Sequence, residues 1–334
     1  MLGYIARRLL QIVPLLFLLS VLIFFIIQLP PGDFVTLQVE NLRRQGTEVA
    51  ESQILSLRRL YNLDKPPYQQ YLIWMRDILT KGDFGWSMVY GRPVMEVVGE
   101  RMTMTIVLSL LTLVFTWMVS IPIGIYSATH QYSVLDYVFT FIGFLGISVP
   151  GFLVALVVLY LVFANTGLAI TGLFSPEYID APWTWGRIVD AAKRIWVPMV
   201  IIGLSSTAGL IRVTRNMLLD ELSKQYVITA RAKGVGEIRL LFKYPVRLAF
   251  NPIISTIGWV LPGIISGEAL VSIVLNMPTA GPLLLSAVLS QDMYLAGSFI
   301  LVTSVLIVIG TLVSDVLLAW LDPRISFGSV TEEA

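Results

Sequence analysis

Side chains able to do acid–base, nucleophilic or metal chemistry are scarce in this sequence. Cysteine is absent and His130 is the only histidine among 334 residues. Disulfides, thiolate metal sites, a cysteine nucleophile and paired-histidine metal sites are therefore excluded. No Gly-x-Ser-x-Gly elbow and no Gly-x-x-x-x-Gly-Lys-Ser/Thr phosphate loop occurs, so neither a serine-hydrolase nucleophile nor a Walker-type ATP site is encoded. Two features remain. One is Glu268, an acid deep in the apolar run LPGIISGEALVSIVL; the other is the small, basic, glycine-broken stretch ITARAKGVGEIRLL at 228–241. No catalytic residue, metal site or cofactor is expected.

The elements that must hold these residues are membrane spans. The chain is 56% hydrophobic and 13% charged, against about 45–50% and about 25% in soluble domains. Its net charge of +1 gives no basic face for nucleic acid. A bilayer-crossing helix needs about 20 mostly apolar residues. Leu9–Leu29 is the first such run, too long for a signal-peptide core and followed by no small-residue cleavage site, so it reads as a retained span. Thr103–Tyr126, Tyr137–Phe163, Ile195–Val213, Pro252–Leu275 and Leu295–Trp320 follow, for a total of six. Arg7 and Arg8 place the N-terminus on the cytoplasmic side, and Arg212–Arg247, with eight Lys/Arg against three Asp/Glu, lies on that side too. Six spans return the C-terminal tail to the cytoplasm.

The expected class is therefore an all-α membrane protein with both termini cytoplasmic. Residues 1–30 form a peripheral first span, 31–101 an extracytoplasmic helical segment, 102–322 a five-span core, and 323–334 a cytoplasmic tail. Within the external segment Tyr68, Tyr71, Leu72, Met75, Ile78 and Leu79 recur on one helical face, and Ile54, Leu57 and Leu60 predict a shorter helix before it. Trp183, Trp185 and Trp196 fit an interfacial belt. Gly143, Gly146, Pro150 and Gly151 predict close packing and a bend in the third span. Asp136 and His130 fall in a short inner loop, where solvated structural roles are expected, and Asp315 near the inner end of span six reads as interfacial.

An ionised group in hydrocarbon is costly and usually faces the bundle interior or a water-filled path. Glu268 is accordingly a candidate pathway residue, with packing against a neighbouring helix or subunit as the alternative. Pro262-Gly263 lies just before it, where the proline removes a backbone donor and kinks the helix, either lining a cavity or serving as a packing kink.

The inner loop spans 216–247 and divides at Gly234-Val-Gly236, where glycine can end one helix and turn into another. Its letters, YVITARAKGVGEIRLL, resemble the cytoplasmic coupling motif of ABC importer membrane subunits in the dipeptide/oligopeptide/nickel form Y-V-x-x-A-R-A-K-G. Tyr226, Val227, Ala230, Arg231, Ala232, Lys233 and Gly234 match position by position, with Thr229 and Val235 in the same stretch. Where the broader family often continues Ile-x-Leu-Pro, this chain has Tyr244, Pro245, Val246 and Arg247. The opening span ending at Pro31-Gly32-Asp33 resembles that subgroup. So do the external segment with Asp64, Pro66, Gly82, Asp83, Gly85, Ser87 and Pro93, and the ending with Asp315, Asp322, Pro323 and Arg324. Six residues before Pro278, where the subgroup commonly has glutamate, this chain has Ser272, one turn beyond Glu268, and Ser272 is a pathway candidate with Glu268, Pro262 and Gly263.

This resemblance to a binding-protein-dependent permease subunit implies a type I ABC importer fold and a bacterial or archaeal cell-membrane location. It implies that the inner loop inserts a coupling helix into a separate ATPase, with Ala230, Ala232 and Gly234 permitting close docking and Arg231 and Lys233 supplying charge. The implied partners are a homologous second permease, two ATP-binding cassette subunits and an extracytoplasmic substrate-binding protein. The implied cargo is a short peptide, with oligosaccharides and nickel complexes as alternatives. A stand-alone secondary transporter would need intramembrane acids for ion coupling, and the span interiors are almost free of them.

Overall fold

A computed structural model describes residues 2–46, 50–167, 171–179, 181–249 and 269–321. The described chain is helical apart from one two-stranded hairpin. In order, the elements are α1 (Leu2–Ile27), α2 (Phe34–Arg44), α3 (Glu51–Leu60), α4 (Pro67–Lys81), β1 (Trp86–Ser87), β2 (Arg92–Pro93), α5 (Val94–Thr129), α6 (Val134–Ser148) and α7 (Gly151–Thr166). After these come α8 (Trp185–Leu222), α9 (Gln225–Ala232), α10 (Glu237–Lys243), α11 (Ala280–Leu289) and α12 (Met293–Leu321). Contacts divide the chain into two compact units, one drawn from 1–104 and 282–308, the other from 105–281 and 309–334.

Among the described residues, Val94–Thr129, Trp185–Leu222 and Met293–Leu312 are long and apolar enough to cross a membrane. Helices α6 and α7 pass the same test together but are bent by 100°. The single continuous span expected over Tyr137–Phe163 is thus corrected to two helices. The cause is local: Pro150 offers no amide to α6 and pushes Val149 into extended backbone (φ −95°, ψ 122°). Ile12–Ile27 is a shorter apolar helix. The expected span Pro252–Leu275 lies mostly outside the described residues.

In the first unit, α4 forms where its periodicity predicts, yet it buries a different face. Gln70, Tyr71 and Trp74 are buried, whereas Tyr68, Leu72 and Leu79 are exposed. Aromatic packing decides this: Phe24 of α1 meets Tyr71 and Trp74 with ring centroids 5.4 and 5.7 Å away. The polar edges are satisfied at the same time. Tyr71 Oη shares a hydrogen bond with Ser20 Oγ (2.9 Å), Gln70 Oε1 accepts from Gln28 Nε2 (3.1 Å), and Trp74 Nε1 donates to the Phe84 carbonyl (3.4 Å). Asp33 caps α2, its Oδ1 accepting from Thr36 N at 2.7 Å. The hairpin pairs Trp86 with Pro93 and Ser87 with Arg92. It is tied to the start of α12 by a buried carboxylate, since Asp292 Oδ2 accepts from Ser87 Oγ (2.7 Å) and Val89 N (3.1 Å).

In the second unit, α6 packs along α8. A Cβ at Gly146 would sit 3.3 Å from Leu204, and one at Gly143 3.8 Å from Ala208, so the small residues do set the approach of these helices. At the start of α6, Ser133 Oγ accepts from Asp136 N (3.2 Å) and Asp136 Oδ2 accepts from Tyr132 N (3.1 Å), a reciprocal capping arrangement. Asp136 is not solvated as expected. It is 3% exposed and takes a bidentate pair from Arg215 of α8, Nε to Oδ1 at 3.1 Å and Nη2 to Oδ2 at 3.0 Å. Burial next to a guanidinium fork explains the difference, because a carboxylate leaves water readily only with such a partner. His130 remains exposed, its ring stacked on Tyr126 at 4.6 Å.

Candidate functional site

The residues expected to couple to a partner converge on α9 and the turn after it. The base of this region is a small core in which Ala128, Leu218, Val246 and Ala249 are buried, with Met217, Leu222 and Leu241 packed around them. The chain leaves α8 at Leu222, breaks at Ser223 and Lys224, and re-enters helix at Gln225. The expected single helix before the glycine turn is therefore two.

Val227 is fully buried and anchors α9 from below. Tyr226 anchors it from the side, its Oη donating to Glu221 Oε2 at 2.5 Å. Burial and the Glu221 carboxylate push the Tyr226 phenol up. Thr229 Oγ1 turns back to the Gln225 carbonyl at 2.8 Å. The rest of the stretch faces outward: Ile228, Thr229, Arg231, Ala232, Lys233 and Gly234 are exposed, and Ala230 and Val235 are half-buried.

The end of α9 is set by glycine. Gly234 adopts φ +78°, with its N–H donating to the Arg231 carbonyl (3.0 Å) and the next amide, Val235, donating to Ala230 (3.2 Å). A side chain in this left-handed conformation is strained, although nothing lies within 4 Å of where a Cβ would stand. Across the turn Arg231 and Glu237 pair bidentately at 2.6 and 3.0 Å. The hydrogen bond from Arg231 holds the Glu237 carboxyl below the ordinary glutamate range. Helix α10 closes at Tyr244, just before Pro245. An early proline at this point accounts for the departure from the Ile-x-Leu-Pro pattern as a short helix end.

The pathway candidates are not brought together among the described residues. Ser272 is fully buried on the helical segment 269–274. Pro262, Gly263 and Glu268 lie outside the described residues, as does the Asp315 side chain. The 269–274 segment is crossed tightly by α11, since a Cβ at Gly281 would stand 2.5 Å from Ala269 Cα. Reading the sequence for spans missed three polar anchors: Asp136 with Arg215, Asp292 with Ser87, and Glu221 with Tyr226. A helix-start signal was present for two of them. Ser133-x-x-Asp136 has capping-box spacing, and Asp292 precedes α12, its Oδ1 accepting from Leu295 N at 3.2 Å.

Known proteins align with nearly the whole chain. A family model described as binding-protein-dependent transport system inner membrane component matches residues 120–327. A second, for the N-terminal part of such membrane components, matches residues 1–109. The chain is 34% identical to the oligopeptide transport system permease protein AppB of Bacillus subtilis over 98% of its own length and 100% of that protein's. It is 30% identical to the glutathione transport system permease protein GsiC of Salmonella choleraesuis, over 98% and 100%. It is 27% identical to the dipeptide transport system permease protein DppB of Alkalihalophilus pseudofirmus, again over 98% and 100%. With helices long and apolar enough for a bilayer and two family models that together take in most of its length, the chain belongs to the binding-protein-dependent transport system inner membrane components.

Proposed function

We propose that this multi-pass membrane protein is one permease subunit of an ATP-driven ABC importer for short peptides, and that α9 is the helix through which a separate ATPase drives it. The observation that carries this reading is α9 itself. Its small and basic residues face outward while Val227, Tyr226 and the core beneath fix it to the end of α8. A helix held that firmly passes an applied push into α8 instead of yielding locally. Exposed Ala232 and Gly234 allow a partner's backbone to come close, and Lys233 and the Arg231–Glu237 pair offer charge at the contact.

In this reading the chain forms half of the translocation pathway within 102–322, beside a homologous second permease, two ATPase subunits and an extracytoplasmic binding protein. Its six spans leave both termini in the cytoplasm of a bacterial or archaeal cell. ATP hydrolysis belongs to the partner subunits. Peptide cargo rests on the relatives, whose names specify oligopeptides, dipeptides and glutathione. None of these three names specifies oligosaccharides or nickel complexes.

The test is co-purification from the native host after gentle solubilisation, followed by reconstitution. A second permease and Walker-type ATPases should accompany the wild-type chain. They should be lost, or hydrolyse ATP without peptide uptake, when Ala230 is replaced by Trp. A chain that purifies alone and still moves solute in vesicles would overturn the reading.

A further inference from the structure

The first unit contains a pocket that the coupling reading leaves without a role. It encloses about 390 Å³ and is lined by Tyr61, Trp74, Asp83, Trp86 and Tyr294 among others. Its floor is fixed. Trp74 and Tyr294 are almost fully buried, and their polar edges are already used, Trp74 Nε1 on the Phe84 carbonyl (3.4 Å) and Tyr294 Oη on the Tyr61 carbonyl (3.0 Å). What they leave toward the cavity is aromatic surface. Gly85 makes this possible: at φ +94° it lies against Tyr294, and a Cβ there would stand 3.1 Å from the ring. Trp86 is half exposed and brings a second indole to the lining.

Two carboxylates complete the lining, and they differ. Asp77 is answered by Arg76 and Lys81, each at 3.1 Å. Asp83 is exposed, accepts only the Gly85 amide through Oδ1 (2.9 Å), and has no cationic partner among the described residues. Aromatic faces beside an unpaired carboxylate favour a cation with an apolar stem. Next to the pocket and sharing Leu60 with it is a shallow depression of about 590 Å³ lined by Ser52, Leu55, Ser56 and Arg59. Leu55 and Leu60 are exposed there. A charged anchor pocket beside exposed apolar residues is the anatomy of a protein docking site.

We propose that this pocket receives an arginine or lysine side chain of the extracytoplasmic binding protein. The assignment rests on the permease reading, which puts residues 31–101 on the outer face. The charged head pairs with Asp83 and the stem lies along Trp86, over a floor set by Trp74 and Tyr294.

The experiment uses the whole transporter in nanodiscs and its cognate binding protein, with affinity measured at low and physiological salt. Asp83→Asn and Trp86→Ala should each weaken docking about 5- to 20-fold, the loss of a contributing interface residue short of a hot spot. Asp83→Asn should also flatten the salt dependence, and argininamide at millimolar concentration should compete with docking to the wild type but not to Asp83→Asn. Elution with the intact complex shows that each variant is folded. A photo-crosslinking residue at Trp86 should capture the binding protein beside an Arg or Lys. If the wild-type complex docks its binding protein and both variants dock it equally well, the pocket assignment falls and the permease reading stands. If Asp83→Asn leaves docking intact but lowers uptake of free peptides and not of N-acetylated ones, the cation is the cargo's and the assignment is likewise overturned. If the wild-type complex docks no binding protein, both readings fall.

Discussion

The ion pair between Asp136 and Arg215 offers the sharpest quantitative test, because its two members are unequally buried. The Asp136 side chain is 4% exposed and the Arg215 side chain 24%. Removing Arg215 strands a carboxylate left with only neutral donors, the Tyr132 amide at 3.1 Å and the Ser127 hydroxyl beside it. Breaking a buried pair in this way costs about 3–5 kcal/mol. Removing Asp136 strands a guanidinium that still reaches solvent, so the loss is smaller, about 2 kcal/mol for charge-assisted hydrogen bonds partly replaced by water. Arg215→Ala should therefore destabilise more than Asp136→Ala. The double variant Asp136→Leu/Arg215→Met should lie near wild type, since matched apolar replacement of a buried pair is often neutral. Equilibrium unfolding in mixed micelles gives all three values, and a near-wild-type double variant beside two costly single variants shows that the losses do not add. The reasoning is refuted if both single variants fall within about 0.5 kcal/mol of wild type, the ordinary range for surface changes. It is refuted equally if Asp136→Ala proves the costlier of the two.

Three further outcomes follow from particular atoms. Gly281→Ala places a methyl 2.5 Å from Ala269 Cα, backbone that cannot turn aside, so it should cost about 1–3 kcal/mol by thermal unfolding; a wild-type melting temperature would contradict that crossing. At Gly234 only the left-handed backbone matters, since the site is open. Gly234→Asn should lose less stability than Gly234→Val, which bears the full penalty of about 1–2 kcal/mol or more; equal melts would show that the positive φ is not retained. Glu237 ionises more readily when folded because Arg231 donates to it. The pair's contribution is thus complete above the ordinary glutamate pKa of about 4.3 and lost as pH falls through the lower folded value. A carboxyl NMR titration should show Glu237 returning toward the ordinary value in Arg231→Ala, and no change between the two proteins would refute the pairing.

How much the sequence disclosed depended on how local each determinant is. The long helices α5, α8 and α12 were legible because hydropathy acts residue by residue, and the break after α9 because its glycine turn is written into a few adjacent letters. The bend between α6 and α7 was legible at Pro150 as a bend, though not as an angle of 100°. The buried face of α4 was not. Periodicity ranks Leu72 and Leu79 above Gln70, and only contact with Ser20, Phe24 and Gln28, forty or more residues away, reverses the order. Asp136 looked solvated because an acid beside a short loop usually is, and its partner Arg215 stands 79 positions further on. The aromatic pocket likewise gathers residues from α4, the hairpin and the start of α12.

Helix α8 runs unbroken for 38 residues, which at about 1.5 Å per residue makes a rod of about 57 Å, nearly twice the thickness of a bilayer core. Pro198, about a third of the way along, removes one backbone donor from the ladder, and the remaining 24 residues to Leu222 form a stiff arm of about 36 Å. Geometry then fixes an exchange rate between angle and displacement. Each degree of tilt about Pro198 moves the attachment of α9 by about 0.6 Å on that arm length. A shift of a few ångströms at α9 corresponds to a rotation of several degrees on this arm, and glycine between Thr214 and Leu218 would soften the arm and absorb part of any such displacement.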